Sequence, residues 1–444
     1  MPRWRGKLEM NGPRRLDTRE EGFESGFASL LVDRVSISTD AEAAAAAIIA
    51  AVRARGDDAV AEFTARFDRV TLTPERFRVT EAEIEAANAA IPAELSAALD
   101  LAAERIAAFH RAQMPSDVAM RDASGVELGL RWGALDSVGV YVPGGKAAYP
   151  SSVLMSAIPA RVAGVERIAM VVPAPEGMLN PLVLAAARRA GVTEVWRIGG
   201  AQAVAALAYG TETISPVDRI VGPGNAFVAA AKRLVFGQVG IDMIAGPSEV
   251  VVVADGANDP RVIAVDLLAQ AEHDEAAQAI LITDDRGFGE SVAAAVEEEL
   301  ASGPRAGIAA ASWRAHGAII LCRDLAEAAE LVNRLAPEHL ELAVAEPTAL
   351  FAAIRHAGAV FLGRTCPEAL GDYVAGPNHI LPTSRTARFA SGLSVFDFLK
   401  RTSWVSADES ALAAIGPAAV ALAEAEGLPA HARSISLRLA GRAA

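Results

Sequence analysis

Four of the seven histidines stand beside groups that could do chemistry with them. In LAQAEHDE, Gln270 and His273 are three residues apart on a predicted helix and share one face, a spacing that lets two side chains reach one ion. In LAPEHLE, Glu338 and His339 follow a proline and pair a carboxylate with an imidazole, as a proton-transfer site would. Asp372 and His379 lie in LGDYVAGPNH, which is too rich in glycine and proline for a helix, and His431 follows Glu426 in EGLPAH. Each has a plain structural explanation: a solvated helix face for Gln270 and His273, a helix cap for Asp372. It is their joint occurrence that points to a site. His110, His316 and His356 occupy ordinary helical or strand-flanking contexts and read as surface or core residues.

Composition narrows the chemistry. Two cysteines, Cys322 and Cys366, cannot form a disulfide framework or a thiolate zinc site, so any metal must be held by imidazole, carboxylate or amide. A net charge of -14 does not supply the basic field that nucleic acid requires. No run approaches the apolar length of a membrane span, and the first twelve residues lack the apolar core of a secretory signal, so the chain reads as cytoplasmic. At 444 residues and 52% apolar content, it has ample core for several compact units.

The elements that must position these residues follow from the hydrophobic pattern. Residues 14–27 read as a short helical arm. From Asp40 a helix pair is predicted, broken at Arg55-Gly56, with one further long amphipathic helix over residues 80–109. Short β-rich runs then alternate with helical stretches. SVGVYVPGG, RIAMVVPAP, EVWRIGG and RIVGPGN form one block; EVVVVAD, AILITDD, GAIILCRD and AGAVFLG form a second. This is the pattern of two parallel sheets, with the segment after Leu393 an appendage outside both. Ligands in such sheets bind beyond the carboxyl ends of the strands, which directs attention to the loops VPGG, IGGAQ and VGPGN. The dinucleotide fingerprint G-x-G-x-x-G is absent, so those loops could cradle a phosphate or be tight strand-to-helix turns.

The stretch IDMIAGPSEVVVVAD, with AQAEHDE following it, resembles the histidinol dehydrogenase family. VGVYVPGG, GGAQAVAALAYGT, VGPGNAFVAAAKR, NRLAPEHLE, GDYVAGPNHILPT, SGLSVFDFLKRTS and EGLPAHARSI match that family in order, from about Arg15 to Leu439, with no departure at a motif position. The resemblance implies an α/β fold of two Rossmann-like parallel-sheet domains with a helical N-terminal arm and a C-terminal helical tail. Its expected divisions are residues 1–35 for the arm, 36–140 with 247–392 for the larger domain, 141–246 for the smaller, and 393–444 for a dimerisation tail.

It also implies a zinc- and NAD-dependent, four-electron oxidation of L-histidinol to L-histidine through the aldehyde. Carried over, Gln270, His273, Asp372 and His431 would be the ligands of one zinc per subunit. His339 would be the base and Glu338 the residue that activates water. Ser248, Gln270, His273, His339, Asp372, His379, Glu426 and His431 would contact substrate, and Tyr141, Gln202 and Asn225 would contact NAD. The tail would cross to a second subunit, giving a homodimer with shared sites. Cys366 suggests a thiohemiacetal route that the family does not use. Competing readings are a relative acting on another small alcohol such as dihydroxypropanesulfonate, a metal-dependent hydrolase, and a binding module without catalysis.

Overall fold

Three sheets organise the computed structural model, which describes residues 12–32, 39–144, 149–301 and 303–441. Expectations for residues 1–11, and for the end of the VPGG loop at Gly145, lie outside the described residues. The largest sheet is parallel and has six strands in the order Arg14–Asp17, Ala318–Leu321, Gln278–Thr283, Glu249–Ala254, His339–Ala343, Ala359–Leu362. The second, also parallel, has five: Glu194–Trp196, Arg167–Val171, Ser137–Tyr141, Arg219–Val221, Gly240–Ile241. Glu249–Ala254 and Gln278–Thr283 are buried along their whole length, because helices cover both faces of the sheet; runs such as VVVV are what such strands need.

Helices Pro260–Ala271, Arg286–Leu300 and Ala306–His316 pack on one face of the six-stranded sheet, and Phe23–Val32 and Leu325–Leu335 on the other. Their starts are set locally. Asp259 accepts a hydrogen bond from the Arg261 N–H and is followed by Pro260, and Asp324 accepts one from the Glu327 N–H.

Several expectations are corrected here. Arg14–Asp17 is an edge strand paired with Ala318–Leu321, and Phe23, Phe27 and Leu30 belong to the core, so this segment is part of the larger unit and not an arm. The helices between residues 39 and 111 pack on the five-stranded sheet. Because Ser137–Tyr141 is that sheet's central strand, the boundary expected at residue 140 cuts through it. The long helix expected over residues 80–109 is two, Glu81–Ala90 and Ala93–Arg111, parted where Pro92 cannot continue the first. The segment after Leu393 does lie outside both parallel sheets, but its strand Leu399–Ser406 pairs antiparallel with Glu127–Ala134, which also pairs with Val118–Arg121, to make the third sheet.

Candidate functional site

The two parallel units meet where Asn378 and His379 touch helix Pro150–Ala163. His379 Nε2 lies 3.4 Å from the Ser152 hydroxyl, and the Asn378 amide donates to the Met155 carbonyl at 2.6 Å. Ser152 and Met155 belong to helix Pro150–Ala163, which follows the carboxyl end of strand Ser137–Tyr141. Glu338 and His339, in contrast, stand at the start of His339–Ala343, and Ser248 immediately precedes Glu249–Ala254. Within the larger sheet the site is thus at the amino edge of the strands, contrary to the carboxyl-edge expectation. The contacts of Asn378 and His379 with helix Pro150–Ala163 join it to the smaller unit on the side of that sheet's carboxyl ends.

His339 is 4% exposed. Its Nδ1 lies 3.1 Å from the Glu249 carbonyl oxygen, which can only accept, so Nδ1 carries the hydrogen and Nε2 keeps its lone pair. Burial pushes the imidazole down to about 4, against the opposing pull of Asp372, so the ring is neutral at neutral pH. Nε2 is buried with no hydrogen-bond partner among the described residues and points toward Asp372 Oδ1, 3.9 Å away. Glu338 accepts from the Glu249 N–H at 2.8 Å, which holds its carboxylate 3.7 Å from His339 Nδ1.

Gln270 and His273 come together as expected, with Gln270 Nε2 donating to His273 Nδ1 at 3.0 Å. The helix ends at Ala271, however, and His273 sits in the turn just beyond it. Gln270 is fully buried and its Oε1 has no hydrogen-bond partner among the described residues. Asp372, expected in a loop, lies in the short helix Glu368–Tyr373. Its carbonyl accepts from His379 Nδ1 at 3.0 Å, and His379 is held below the usual histidine range chiefly by burial. His273 is close enough for its charge to act on both His339 and His379. Single donor atoms of His339, Glu368 and Asp372 lie within 4.8 Å of one another, a grouping that can hold a metal ion.

Behind these residues lies a second layer that sequence reading missed. Glu368 Oε1 is 3.3 Å from His339 Nδ1, and the Glu368 N–H donates to Glu341 Oε1 at 2.5 Å. Glu341 and Asp266 hydrogen-bond each other. Burial, then the charge of Asp266, pushes Glu341 up to about 8; burial pushes Asp266 up to about 6, and the bond from Glu341 opposes the rise. Burial and the surrounding carboxylates hold Glu368 well above the usual range. Backbone periodicity produces the two layers: His339 and Glu341 are two apart on a strand, while Asp266 with Gln270 and Glu368 with Asp372 are four apart on helices.

In the smaller unit, Tyr141 ends the central strand of the five-stranded sheet and its hydroxyl accepts from the Gly200 N–H at 3.0 Å. Gln202 lies in helix Gly200–Tyr209, 1% exposed, with Oε1 lacking a hydrogen-bond partner among the described residues. Asn225 caps helix Ala226–Val235, its Oδ1 accepting from the Phe227 and Val228 N–H groups at 3.1 Å. All three stand near the point where strand order reverses on either side of Ser137–Tyr141, where doubly wound sheets bind ligands. Ser248 is half-buried on the larger sheet's side. Glu426 and His431 are not brought in. Both are exposed on the C-terminal helices, and among the described residues no hydrogen bond or ion pair joins either to the candidate site.

Two parallel α/β units, with a buried neutral imidazole beside nitrogen and oxygen donors, are an enzyme-like arrangement, and the comparisons place it among the dehydrogenases. The histidinol dehydrogenase family model matches residues 33–439. The histidinol dehydrogenase of Gluconobacter oxydans is 64% identical over 96% of this chain and 99% of its own length, and that of Cereibacter sphaeroides is 64% identical over 96% and 98%. The crystal structure of histidinol dehydrogenase from Elizabethkingia anophelis superposes with a TM-score of 0.92 at 35% identity, covering 97% of this chain and 99% of that one. The chain belongs to the histidinol dehydrogenase family.

Proposed function

We propose that the protein oxidises L-histidinol to L-histidine with NAD, the last step of histidine biosynthesis, through an aldehyde kept on the enzyme. A primary alcohol, one water and two NAD become a carboxylate, two NADH and three protons. The observation that carries this reading is His339, a buried neutral imidazole whose open Nε2 faces the donor cluster. Family membership over nearly the whole chain supports the choice of substrate.

Gln270, His273 and Asp372, with His431 from a second copy of the chain, are amide, imidazole and carboxylate donors that suit zinc, and the orphaned Oε1 of Gln270 is an acceptor such an ion would satisfy. Bound there, zinc would orient and polarise the substrate while NAD carries away hydride. Tyr141, Gln202 and Asn225 are the NAD-facing residues, and the orphaned Oε1 of Gln202 is a ready acceptor.

His339 Nε2 takes the hydroxyl proton as hydride leaves the carbinol carbon. Glu338, beside it, draws a proton from water so that the aldehyde is hydrated, and His339 accepts a proton again in the second oxidation. Ser248, Gln270, His273, Asp372 and His379 hold the substrate from the larger sheet's side, with Glu426 and His431 completing the site from a neighbouring subunit. The assembly is a homodimer working in the cytoplasm, and no nucleic acid or membrane takes part. No helix among the described residues is long and apolar enough to cross a membrane.

The test is absorbance at the NADH wavelength after adding NAD with L-histidinol, and in parallel with dihydroxypropanesulfonate. Two NADH per histidinol, with none from the sulfonate, is expected. Turnover of the sulfonate alone would overturn the substrate assignment, and no NADH from either would overturn the redox reading.

A further inference from the structure

Lys232 and Asp242 form an ion pair with side chains 3% and 1% exposed, in the smaller α/β unit and outside every residue given a role above. Both partners are also spent on one residue. Lys232 Nζ donates to the Gly222 carbonyl at 2.9 Å, and Asp242 Oδ2 accepts from the Gly222 N–H at 2.8 Å. The pair thus satisfies both backbone polar groups of a single glycine.

That glycine occupies a demanding place. Its φ of +107° is one that L side chains rarely adopt, and a Cβ there would collide with the Tyr141 carbonyl oxygen. Gly222 ends the run from Arg219–Val221, which pairs with Ser137–Tyr141, and three residues later Asn225 begins the helix that carries Lys232. The ion pair therefore holds the turn that runs from Gly222, against the Tyr141 carbonyl, to Asn225, at the sheet's switch point. The loop leading to Ser248 has its own anchors: the Gly246 N–H donates to Thr383 Oγ1 at 2.6 Å, and the Gln278 N–H donates to the Ser248 carbonyl at 3.0 Å.

We infer that Lys232 and Asp242 are positioning residues for the dinucleotide, clamping Gly222 so that Tyr141 and Asn225 hold one arrangement against it. The inference rests on the reading of that sheet edge as the NAD site. Polarity is part of the device, since a donor must face the carbonyl and an acceptor the N–H. One-sided removal strands a buried charge, so the informative variant is Lys232→Met with Asp242→Asn, which leaves no net charge behind. The milder companion, should the double variant not fold, is Lys232→Gln with Asp242→Asn, which removes both charges but keeps a donor for the Gly222 carbonyl and an acceptor for its N–H.

Two readouts are taken on variants whose circular dichroism matches the parent. Amide hydrogen exchange over residues 221–225, without ligand, should accelerate in the double variant and less in the milder companion; exchange unchanged in both overturns the clamp. NADH affinity, by fluorescence titration, should fall about tenfold in the double variant, as for a loop in its binding-competent arrangement a tenth of the time. KM for histidinol should stay within about twofold, because that side is anchored separately. Faster exchange with unchanged NADH affinity overturns the positioning role. If the parent enzyme itself fails to bind NADH, or Tyr141→Phe and Asn225→Ala leave its affinity untouched, it is the assignment of the NAD site that falls, and exchange alone then decides the clamp.

Discussion

An imidazole is a useful base only if it is neutral before the reaction and has a free lone pair, and at His339 burial keeps the ring neutral while one backbone carbonyl leaves Nε2 its lone pair. Glu338, the preceding residue, is held by the Glu249 N–H and needs no proton from the alcohol. The two should therefore separate by half-reaction. Glu338→Gln should slow oxidation of the aldehyde by about tenfold or more while sparing oxidation of the alcohol, because only the former consumes water; His339→Asn should slow both by about a hundredfold. Single-turnover rates from histidinol and from histidinaldehyde check this, and equal losses in both for Glu338→Gln would remove its assignment. Side chains adjacent in sequence, such as Glu338 with His339, were legible as pairs. Glu368, Glu341 and Asp266 were not, although each shares a face with a residue that was singled out. Their meaning comes from meeting one another across three elements, and spacing along one element carries no information about that.

On the scale of elements, the parallel strands announced themselves because both their faces are buried, whereas Val118–Arg121 and Leu399–Ser406 did not, being exposed almost throughout and bearing no burial pattern. Pro92 was legible in principle as a break, yet apolar spacing on both sides of it imitates one helix. The edge of the larger sheet that carries the candidate site was misjudged for a physical reason: the candidate residues stand at the starts of strands and at the end of helix Pro260–Ala271, so they gather where strands begin. There strand His339–Ala343 and that helix share the Glu341–Asp266 pair, with Glu368 on the third side and His339 on the same strand. Glu341 lies near 8 when folded and near the ordinary carboxyl value when unfolded, so the folded state holds a proton that the unfolded chain releases. Stability from this proton is complete below the unfolded value, declines as pH rises, and is gone once pH passes about 8. Glu341→Gln, which mimics the protonated form and cannot ionise, should flatten that decline. Thermal melts from pH 5 to about 9 should find the variant gaining on the parent as pH rises; a constant difference would show that the pair holds no such proton.

For the whole molecule, the two parallel units bury their own cores, whereas strand Leu399–Ser406 and the two C-terminal helices stay largely exposed. Val405 is 68% exposed and Leu422 65%, and helices Glu409–Ala425 and Pro429–Ala440 bury only Ala411, Gly416, Ala423 and Ala432. An antiparallel sheet and helical hairpin this bare are poor candidates for standing alone and good ones for reaching a second copy, and they carry Glu426 and His431, which the candidate site of their own chain does not receive. Complementation tests the exchange. His273→Asn damages the larger unit and His431→Asn the tail, so each protein alone should be inactive whether sites are shared or not. Unfolded together and refolded at equal concentration, random pairing makes about half the dimers mixed, and each mixed dimer has one site formed from an intact larger unit and an intact tail. Specific activity should then recover to about a quarter of the parent's, on the two-fold symmetry of the proposed dimer. If each site is built within one chain, every site in every pairing carries a lesion and none will recover. Mixing the folded variants without unfolding measures subunit exchange, and activity that rises only as fast as that exchange ties the recovered sites to mixed dimers.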